Sequence, residues 1–236
     1  MSKDNSFTLI NVKKIINNTP ILEETSISFK KKQVIVIMGL SGSGKTTFLN
    51  ILSGLDKPSS GSVIIEGTDI TKLKEPKLTK FRSLNIAYIF QEYNLIDYLN
   101  IKENILINST LNKIKIDNKK YEQIIKSLDL IKLEKQNITS LSGGEQQRVA
   151  IARALIGNNQ IIFADEPTGA LDIKSSENVI DLLIENALAF EKTLFIVTHD
   201  PNVALKADQI ILIKDKKLKL LEKNIDKKIL ESYLKN

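Results

Sequence analysis

The sequence predicts an α/β fold with a mainly parallel sheet, an antiparallel β edge and an inserted helical segment. Short apolar runs rich in β-branched residues alternate with segments of helical apolar spacing, which is typical of α/β folds with right-handed crossovers. Several runs are apolar almost throughout, as expected for strands buried on both faces of a parallel sheet. The predicted strands lie at 34–38, 63–65, 86–90, 161–164, 194–198 and 210–213, and the clearest helices at 45–52, 144–155 and 176–189.

The remaining segments complete this arrangement. Roughly the first 30 residues and 62–66 have the pattern of antiparallel edge strands, whereas 92–155 has helical spacing and no strong strand pattern. We therefore expect a single domain over 1–236, with a core of 1–91 and 156–236 and a helical subdomain of 92–155; the length of 236 residues fits this organisation. The Lys-rich segment 214–236 is predicted to be a helical cap on the sheet.

Composition excludes several classes of protein. There is no Cys, which excludes a disulfide framework and a thiolate metal site. No apolar run approaches the roughly 18 residues of a membrane span, and the N-terminus lacks a signal-peptide profile, so we expect a cytoplasmic chain whose membrane role would need a spanning partner. The net charge is +6, but only three of the 34 basic residues are Arg, which argues against nucleic-acid readout.

A phosphate-binding loop is the strongest motif. The segment Gly39-Leu-Ser-Gly-Ser-Gly-Lys-Thr46 matches G-x-x-x-x-G-K-[ST], follows a predicted buried strand and opens a predicted helix. Glycines there let backbone N–H groups turn toward an anion, and a helix N-terminus adds partial positive charge. Lys45 is expected to bind the β- and γ-phosphates and Thr46 to hold Mg²⁺. The alternative is a Gly/Ser-rich turn, but a turn needs neither three glycines nor a lysine at that place.

Two acids follow another predicted strand. Asp165 and Glu166 come directly after 161–164, and ligands of open α/β sheets lie beyond the carboxyl ends of the strands. Asp165 is expected to hold Mg²⁺ and Glu166 to polarise an attacking water as general base; the alternative is an acidic helix cap. His199, the sole histidine, follows strand 194–198. Its position favours a γ-phosphate contact over the more ordinary role of a surface polar residue.

A third motif precedes an apolar helical segment. In Leu141-Ser-Gly-Gly-Glu-Gln-Gln-Arg148, Ser142 and Glu145 have the spacing of a capping box, so a helix is expected to begin at Ser142. Gly143 and Gly144 in its first turn would each cost about 1 kcal/mol relative to Ala. Their presence suggests close approach of a ligand, and phosphate is the natural candidate.

Taken together, these motifs resemble those of the nucleotide-binding subunit of an ATP-binding-cassette transporter. The resemblance spans roughly 40–200 and includes Gln91 after strand 86–90 and the turn Ala170-Leu-Asp172. Within the family, segments 90–99 and 165–172 with Glu103-Asn104 resemble the branch of lipoprotein-release, macrolide-export, antimicrobial-peptide-resistance and cell-division cassettes.

The resemblance implies an ATPase that works as a homodimer with a transmembrane permease, at the cytoplasmic face of the membrane. Each ATP would lie between the loop 39–46 of one copy and the segment 142–144 of the other, with Asp172 joining the copies. The implied catalytic residues are Glu166, His199, Gln91 and Lys45, and the implied Mg²⁺ ligands are Thr46, Gln91 and Asp165. The implied ATP-binding residues are Gly39, Leu40, Ser41, Gly42, Ser43, Gly44, Lys45, Thr46, Thr47, Ile16, Ser142, Gly143, Gly144, Glu145 and Asp172.

One position departs from the family pattern, and two other functions compete. Near Ile16 the family usually places an aromatic that stacks on adenine, yet no aromatic lies between Phe7 and Phe29. A soluble cassette acting on nucleic acid or the ribosome is the alternative function, disfavoured by a single cassette with no heptad run. A nucleotide-binding regulator without hydrolysis would require loss of Glu166 or Lys45, and both are present.

Overall fold

The computed structural model of the chain describes residues 5–169, 171, 173–221 and 225–234. Its strands are β1 (Asn5–Ile16), β2 (Thr19–Lys30), β3 (Val34–Gly39), β4 (Ser60–Ile65), β5 (Thr68–Asp69), β6 (Ile86–Ile89), β7 (Ile161–Asp165), β8 (Thr193–Val197), β9 (Gln209–Lys214) and β10 (Lys217–Leu221). Its helices are α1 (Lys45–Ser53), α2 (Lys77–Asn85), α3 (Ile101–Leu111), α4 (Asn118–Ser127), α5 (Gly143–Ile156), α6 (Ile173–Ala189), α7 (Pro201–Ala204) and α8 (Lys227–Tyr233).

The chain divides into two units. The first comprises Met1–Arg82 and Thr193–Asn236, and the second comprises Ser83–Lys192. The segment 92–155, expected to be a helical subdomain, lies inside the second unit, which also contains β6, β7 and α6.

An antiparallel sheet forms one layer of the first unit. Its strand order is β2-β1-β4-β5, with β1 antiparallel to both β2 and β4. Asn17 and Asn18 join β1 to β2 with φ of 47° and 61°, the left-handed pair that a type I′ hairpin requires. Phe7 of β1 and Phe29 of β2 make edge-to-face contacts with Phe195 of β8, at centroid distances of 5.4 and 5.2 Å. These rings form the core between the antiparallel sheet and β8.

The parallel strands of the first unit surround β3. β3 pairs in parallel with β8 on one side and with β9 on the other. All six residues of β3 are buried, as the uninterrupted apolar run of this segment predicts for a central strand. The predicted parallel core and antiparallel edge are both confirmed.

The C-terminal segment differs from the prediction. β10 pairs antiparallel with β9, so the helix predicted over 214–236 is wrong at Lys217–Leu221, although α8 is helical. The turn explains the difference, because Asp215 and Lys216 have φ of 49° and 65° and the chain folds back as a two-residue hairpin. The many lysines led to the prediction of a helix, but lysine is also common in edge strands such as β10.

The second unit is built around α5. β6 and β7 pair in parallel, with Ile86 opposite Ile161, and α5 packs against α3, α4 and α6. Eight of the fourteen residues of α5 are buried, which makes it the central helix of the unit. Between 92 and 155 the structure has helices and one isolated bridge, Asn100 with Asn137, so the predicted helical character of this segment is confirmed.

Candidate functional site

The phosphate loop joins the buried strand β3 to helix α1. At Gly39 a Cβ atom would lie 2.5 Å from the Ser43 hydroxyl and 2.6 Å from the Ile213 carbonyl oxygen, so only glycine fits. Gly44 is the N-cap of α1, with φ of 97°, a conformation that L side chains rarely adopt. The loop residues Leu40, Ser41 and Gly42 are exposed. A rigid strand and a rigid helix thus hold an exposed loop at a helix N-terminus, where anions bind.

The Lys45 side chain lies within this loop. Lys45 is 8% exposed, and its ammonium group donates hydrogen bonds of 3.0 Å to the carbonyl oxygens of Gly39 and Leu40. A buried positive charge with neutral carbonyl partners and no ion pair among the described contacts is well suited to bind an anionic group.

Two hydroxyl groups of the loop are available to a ligand. The Ser43 hydroxyl oxygen is buried and has no hydrogen-bond partner among the described residues, a cost that a bound polar ligand would remove. Thr46 is exposed in the first turn of α1. Mg²⁺ prefers oxygen ligands, among them hydroxyl, carboxylate and phosphate oxygens, so the Thr46 hydroxyl and the Asp165 carboxylate are each of the chemical type that fits this cation.

His199 and Ile16 also belong to the first unit. His199 is exposed and lies two residues after the end of β8. Ile16 is the last residue of β1, is 41% exposed, and is opposite Thr19 in the hairpin. The same hairpin contacts the phosphate loop, because a Cβ at Gly44 would lie 3.0 Å from the Ile21 side chain. The hairpin therefore places an exposed aliphatic surface on the unit that carries the phosphate loop.

In the second unit, Asp165 ends β7 and Glu166 follows it. Glu166 has φ of 43°, the left-handed region that non-glycine residues adopt at a cost of about 1–3 kcal/mol. The Gly169 amide donates to the Glu166 carbonyl oxygen at 2.9 Å and closes this turn. Burial raises the pKa of the Tyr88 phenol, and the charge of Asp165 raises it further. The strained turn directs the backbone abruptly away from the strand at Glu166.

Gln91 lies against the same turn. A Cβ at Gly169 would be 2.8 Å from the Gln91 Nε2 atom, so the amide group packs directly on the glycine backbone. Gln91 as a whole residue is exposed. The structure thus places Gln91 against the turn that follows Asp165 and Glu166, within the second unit.

The start of α5 has the predicted cap. Ser142 is the N-cap, the Glu145 amide donates to the Ser142 hydroxyl oxygen at 3.4 Å, and the Ser142 amide donates to the Glu145 carboxylate at 2.8 Å. Hydrogen bonds from the Ser142 side chain and backbone hold the pKa of Glu145 below its ordinary value. These reciprocal hydrogen bonds hold the first turn of α5 in place at the surface of the unit.

The two glycines of this helix start have different surroundings. A Cβ at Gly143 would lie 3.1 Å from the Tyr93 hydroxyl and 3.2 Å from the Leu171 side chain, so packing within the chain already favours glycine there. At Gly144 no described atom outside the local helix backbone lies within 4 Å of that position. The predicted need for ligand approach therefore applies to Gly144, whose open face the chain itself does not explain.

Sequence reasoning assigned no site role to Tyr93, Gly169, Leu171 or Arg153, all of which contact predicted site residues or their loop. A charged residue inside the apolar run 149–155 was the one sequence signal for Arg153. Asp172 lies outside the described residues.

Comparison with known proteins identifies the family. The sequence model described as "ABC transporter" matches residues 22–169, which is more than half of the chain. The chain belongs to the ABC transporter family. As a member of that family it is an ATP-binding cassette and an ATPase. The predicted family and fold class are confirmed.

The chain is also similar to individual proteins of this family. It is 44% identical over 202 residues to the bacitracin export ATP-binding protein BceA of Halalkalibacterium halodurans, covering 85% of this chain and 80% of that protein. It is 40% identical over 209 residues to the macrolide export ATP-binding/permease protein MacB of Campylobacter jejuni, covering 88% of this chain but 32% of that protein. This chain therefore spans about a third of the length of that exporter.

A solved structure of an ATP-binding cassette has a similar fold. The cassette MJ0796, solved as a dimer in a post-hydrolysis state bound to ADP and Pi, matches with a TM-score of 0.80 and 36% identity, covering 93% of this chain and 100% of that one. No helix in the described part of the chain is both long and apolar enough to span a bilayer.

The aliphatic hairpin leads to a prediction about nucleotide preference. Ile16 has no aromatic ring, so an adenine base resting on it would lack the stacking contribution of about 0.5–1.5 kcal/mol that aromatic pairs add. We expect kcat/KM for ATP and GTP to differ by less than about tenfold, which corresponds to 1.4 kcal/mol. Matched steady-state assays with the two nucleotides measure this, and a preference for ATP well above tenfold would refute it. Ile16→Tyr is the paired variant and should tighten both nucleotides severalfold.

Proposed function

We propose that two copies of this cassette close around two ATP molecules, and that closure and reopening drive a separate membrane permease. The observation that carries the proposal is the start of α5, where an ordered, exposed cap leaves Gly144 open. An open helix N-terminus binds phosphate, yet the phosphate loop of the same chain has its own helix N-terminus at α1. A second copy is the natural source of the phosphate at Gly144, and a two-fold dimer makes two such contacts.

The relatives support this arrangement. The structural relative at 36% identity is a dimer bound to ADP and Pi, and the name of the C. jejuni relative joins an ATP-binding protein to a permease. We infer that the permease holds the cassette at the cytoplasmic face of the membrane. The helical subdomain 92–155 would transmit the closing and reopening of the dimer to the permease. Bound ATP favours the closed dimer, and loss of ATP favours the open one.

The chemistry assigned to each residue follows from its group. Lys45 and the loop amides bind the β- and γ-phosphates, and Ser142, Gly144 and Glu145 act on the nucleotide of the other copy. Thr46, Asp165 and Gln91 would hold Mg²⁺, which when bound neutralises charge on the phosphates. Glu166 takes a proton from the attacking water, and the water oxygen bonds to the γ-phosphorus. The bond between the γ-phosphorus and the oxygen that bridges to the β-phosphate breaks, and ADP leaves. His199 donates to the γ-phosphate.

The two glycines provide the test. In the nucleotide-free chain, Gly144→Ala should raise Tm by about 2–4 °C, because alanine gains about 1 kcal/mol over glycine in a helix and the site is open. Gly143→Ala should gain less or lose stability against Tyr93 and Leu171. ATP-dependent dimerisation should be weakened by Gly144→Ala, since its methyl group would occupy the space assigned to the phosphate.

Sedimentation of each variant with ATP, in a background that does not hydrolyse it, measures the dimer. Gln123→Ala is the control, at an exposed position of helix α4 that carries none of the proposed contacts. Parental dimerisation by Gly144→Ala would contradict the proposed contact, whatever its effect on Tm.

A further inference from the structure

The loop that follows Gln91 is held by a guanidinium group from α5. Arg153 Nη1 donates to the Asn94 carbonyl oxygen at 2.6 Å, and Nη2 donates to the Tyr93 carbonyl oxygen at 2.7 Å. Removal from water lowers the pKa of Arg153 below its ordinary value, although a guanidinium remains charged. The planar fork thus reaches two successive backbone carbonyls from two nitrogen atoms, whereas a lysine at this position would be shorter and would present a single nitrogen atom to both.

The carbonyls that Arg153 binds belong to residues in a sparsely populated conformation. Tyr93 and Asn94 have φ of 59° and 47°, and a left-handed bulky residue such as tyrosine persists when its surroundings hold it there. Asn tolerates this region more easily. The fork of Arg153 is positioned to select this backbone conformation over the relaxed alternatives.

The loop also contacts the first turn of α5. The Tyr93 hydroxyl would lie 3.1 Å from a Cβ at Gly143, and Leu171 reaches the same position. Gln91 meanwhile packs on Gly169, in the turn that carries Glu166. The segment 91–94 is therefore fixed at three places: at Gly169 through Gln91, at Gly143 through Tyr93, and at the third turn of α5 through Arg153.

We propose that Arg153 and Tyr93 form a strut that sets the position of Gln91 relative to the start of α5, which makes Arg153 a positioning residue for ATP hydrolysis. The inference rests on the proposed roles of Gln91 and the α5 start in the dimer. A displacement of α5 then moves Gln91 with it, so the state of the ATP held at Gly144 is communicated to the Mg²⁺ ligand Gln91 of the same chain. The substitution Arg153→Lys retains the charge but replaces two donor nitrogens by one on a shorter side chain, which weakens the hold on the two carbonyls.

Arg153→Lys in the full-length chain tests the strut, with two readouts. Hydrogen–deuterium exchange of the nucleotide-free protein should rise selectively for the amides of 91–95 and stay parental elsewhere in α5. In steady-state assays the Mg²⁺ concentration for half-maximal activity should rise and kcat should fall, each by about 10-fold, as when a partner that orients a metal ligand is removed. The Kd for ATP without Mg²⁺ should remain within about twofold of the parental value, a change well under 1.4 kcal/mol.

Arg82→Lys is the matched control. Arg82 donates to the Gly54 carbonyl oxygen at 2.6 Å in the first unit, so its replacement removes a comparable contact away from the strut and should leave exchange at 91–95 and the Mg²⁺ dependence parental. Tyr93→Leu is the second variant, because Tyr93 is only part-buried, and it should shift the Mg²⁺ dependence in the same direction as Arg153→Lys.

The outcomes separate the strut from the proposed function. The strut would be overturned if Arg153→Lys showed the same exchange at 91–95 and the same Mg²⁺ dependence as the wild-type protein. This holds even if the wild-type protein hydrolyses ATP and dimerises as proposed. If Arg153→Lys fails to fold, Tyr93→Leu decides by the same two measurements, and parental behaviour overturns the strut. If parental protein does not dimerise with ATP, the proposed function fails, while selective exchange at 91–95 still supports the contact geometry.

Discussion

Glu166→Gln is expected to lower steady-state ATP hydrolysis by about 10²–10⁴-fold, the usual contribution of a general base. The amide has nearly the same size as the carboxylate but cannot accept the proton of the attacking water. Glu166 lies in a left-handed turn, with φ of 43°, directly after β7, and the substitution leaves this backbone unchanged. ATP binding should persist, because the phosphate loop is untouched, and the bound ATP should accumulate in the closed dimer.

Phosphate release measures the loss of turnover, and sedimentation with ATP measures the trapped dimer. Glu122→Gln is the matched control, since Glu122 is exposed on α4 and carries none of the proposed chemistry, so parental rates are expected. Phosphate release by Glu166→Gln at close to the parental rate would remove the assignment of the general base. Loss of turnover without a trapped dimer would instead argue against the two-copy arrangement.

Features set by neighbouring residues in the sequence were predicted most accurately. The phosphate loop, the strand before it and the helix after it follow from a motif whose glycines have local backbone reasons, as Gly44 shows with its φ of 97°. The Ser142–Glu145 capping box also depends on residues three apart. Each is decided within one turn of backbone, so the sequence pattern contains the needed information.

Features that depend on distant packing could not be predicted in the same way. The sequence pattern gives one reason for both glycines after Ser142, whereas the structure separates them, because Gly143 meets Tyr93 and Leu171 from distant parts of the chain. Arg153 is similar, since its partners lie 59 and 60 residues away. These contacts form when α5 packs at the centre of the second unit. Because the partners are far apart in the sequence, no short-range pattern of residues indicates them.

The C-terminal error has a different cause. Strand β10 contains Lys217-Leu-Lys-Leu-Leu221, and a short alternation within a lysine-rich segment is ambiguous between helix and edge strand. The deciding feature was the turn, in which Asp215 and Lys216 both take positive φ. Asp tolerates this conformation and Lys does so less readily, so the Asp-Lys pair is a weak hairpin signal compared with Asn-Gly or Asp-Gly.

Lys45→Ala is expected to weaken ATP binding by about 100-fold or more, which corresponds to about 2.7 kcal/mol. The ammonium is the full positive charge within the loop 39–46, and charge-assisted hydrogen bonds to phosphate contribute about 1.5–3 kcal/mol each. In the structure the same group donates to the carbonyl oxygens of Gly39 and Leu40. Its loss therefore removes a phosphate contact and also a brace of the loop.

Two further variants separate these contributions. Lys77→Ala removes an exposed lysine of α2 and should bind ATP with parental Kd in calorimetry, which excludes a general effect of net charge. Lys45→Arg keeps the charge but places a larger fork in a site that leaves lysine 8% exposed, so it should bind ATP more weakly than the parent and more tightly than Lys45→Ala. ATP affinity within a few-fold of parental in a folded Lys45→Ala would show that the loop amides and the α1 N-terminus bind the phosphates without the ammonium. The charge would then have its effect on turnover alone, because a contact that contributes nothing to the bound ground state can accelerate hydrolysis only through the transition state.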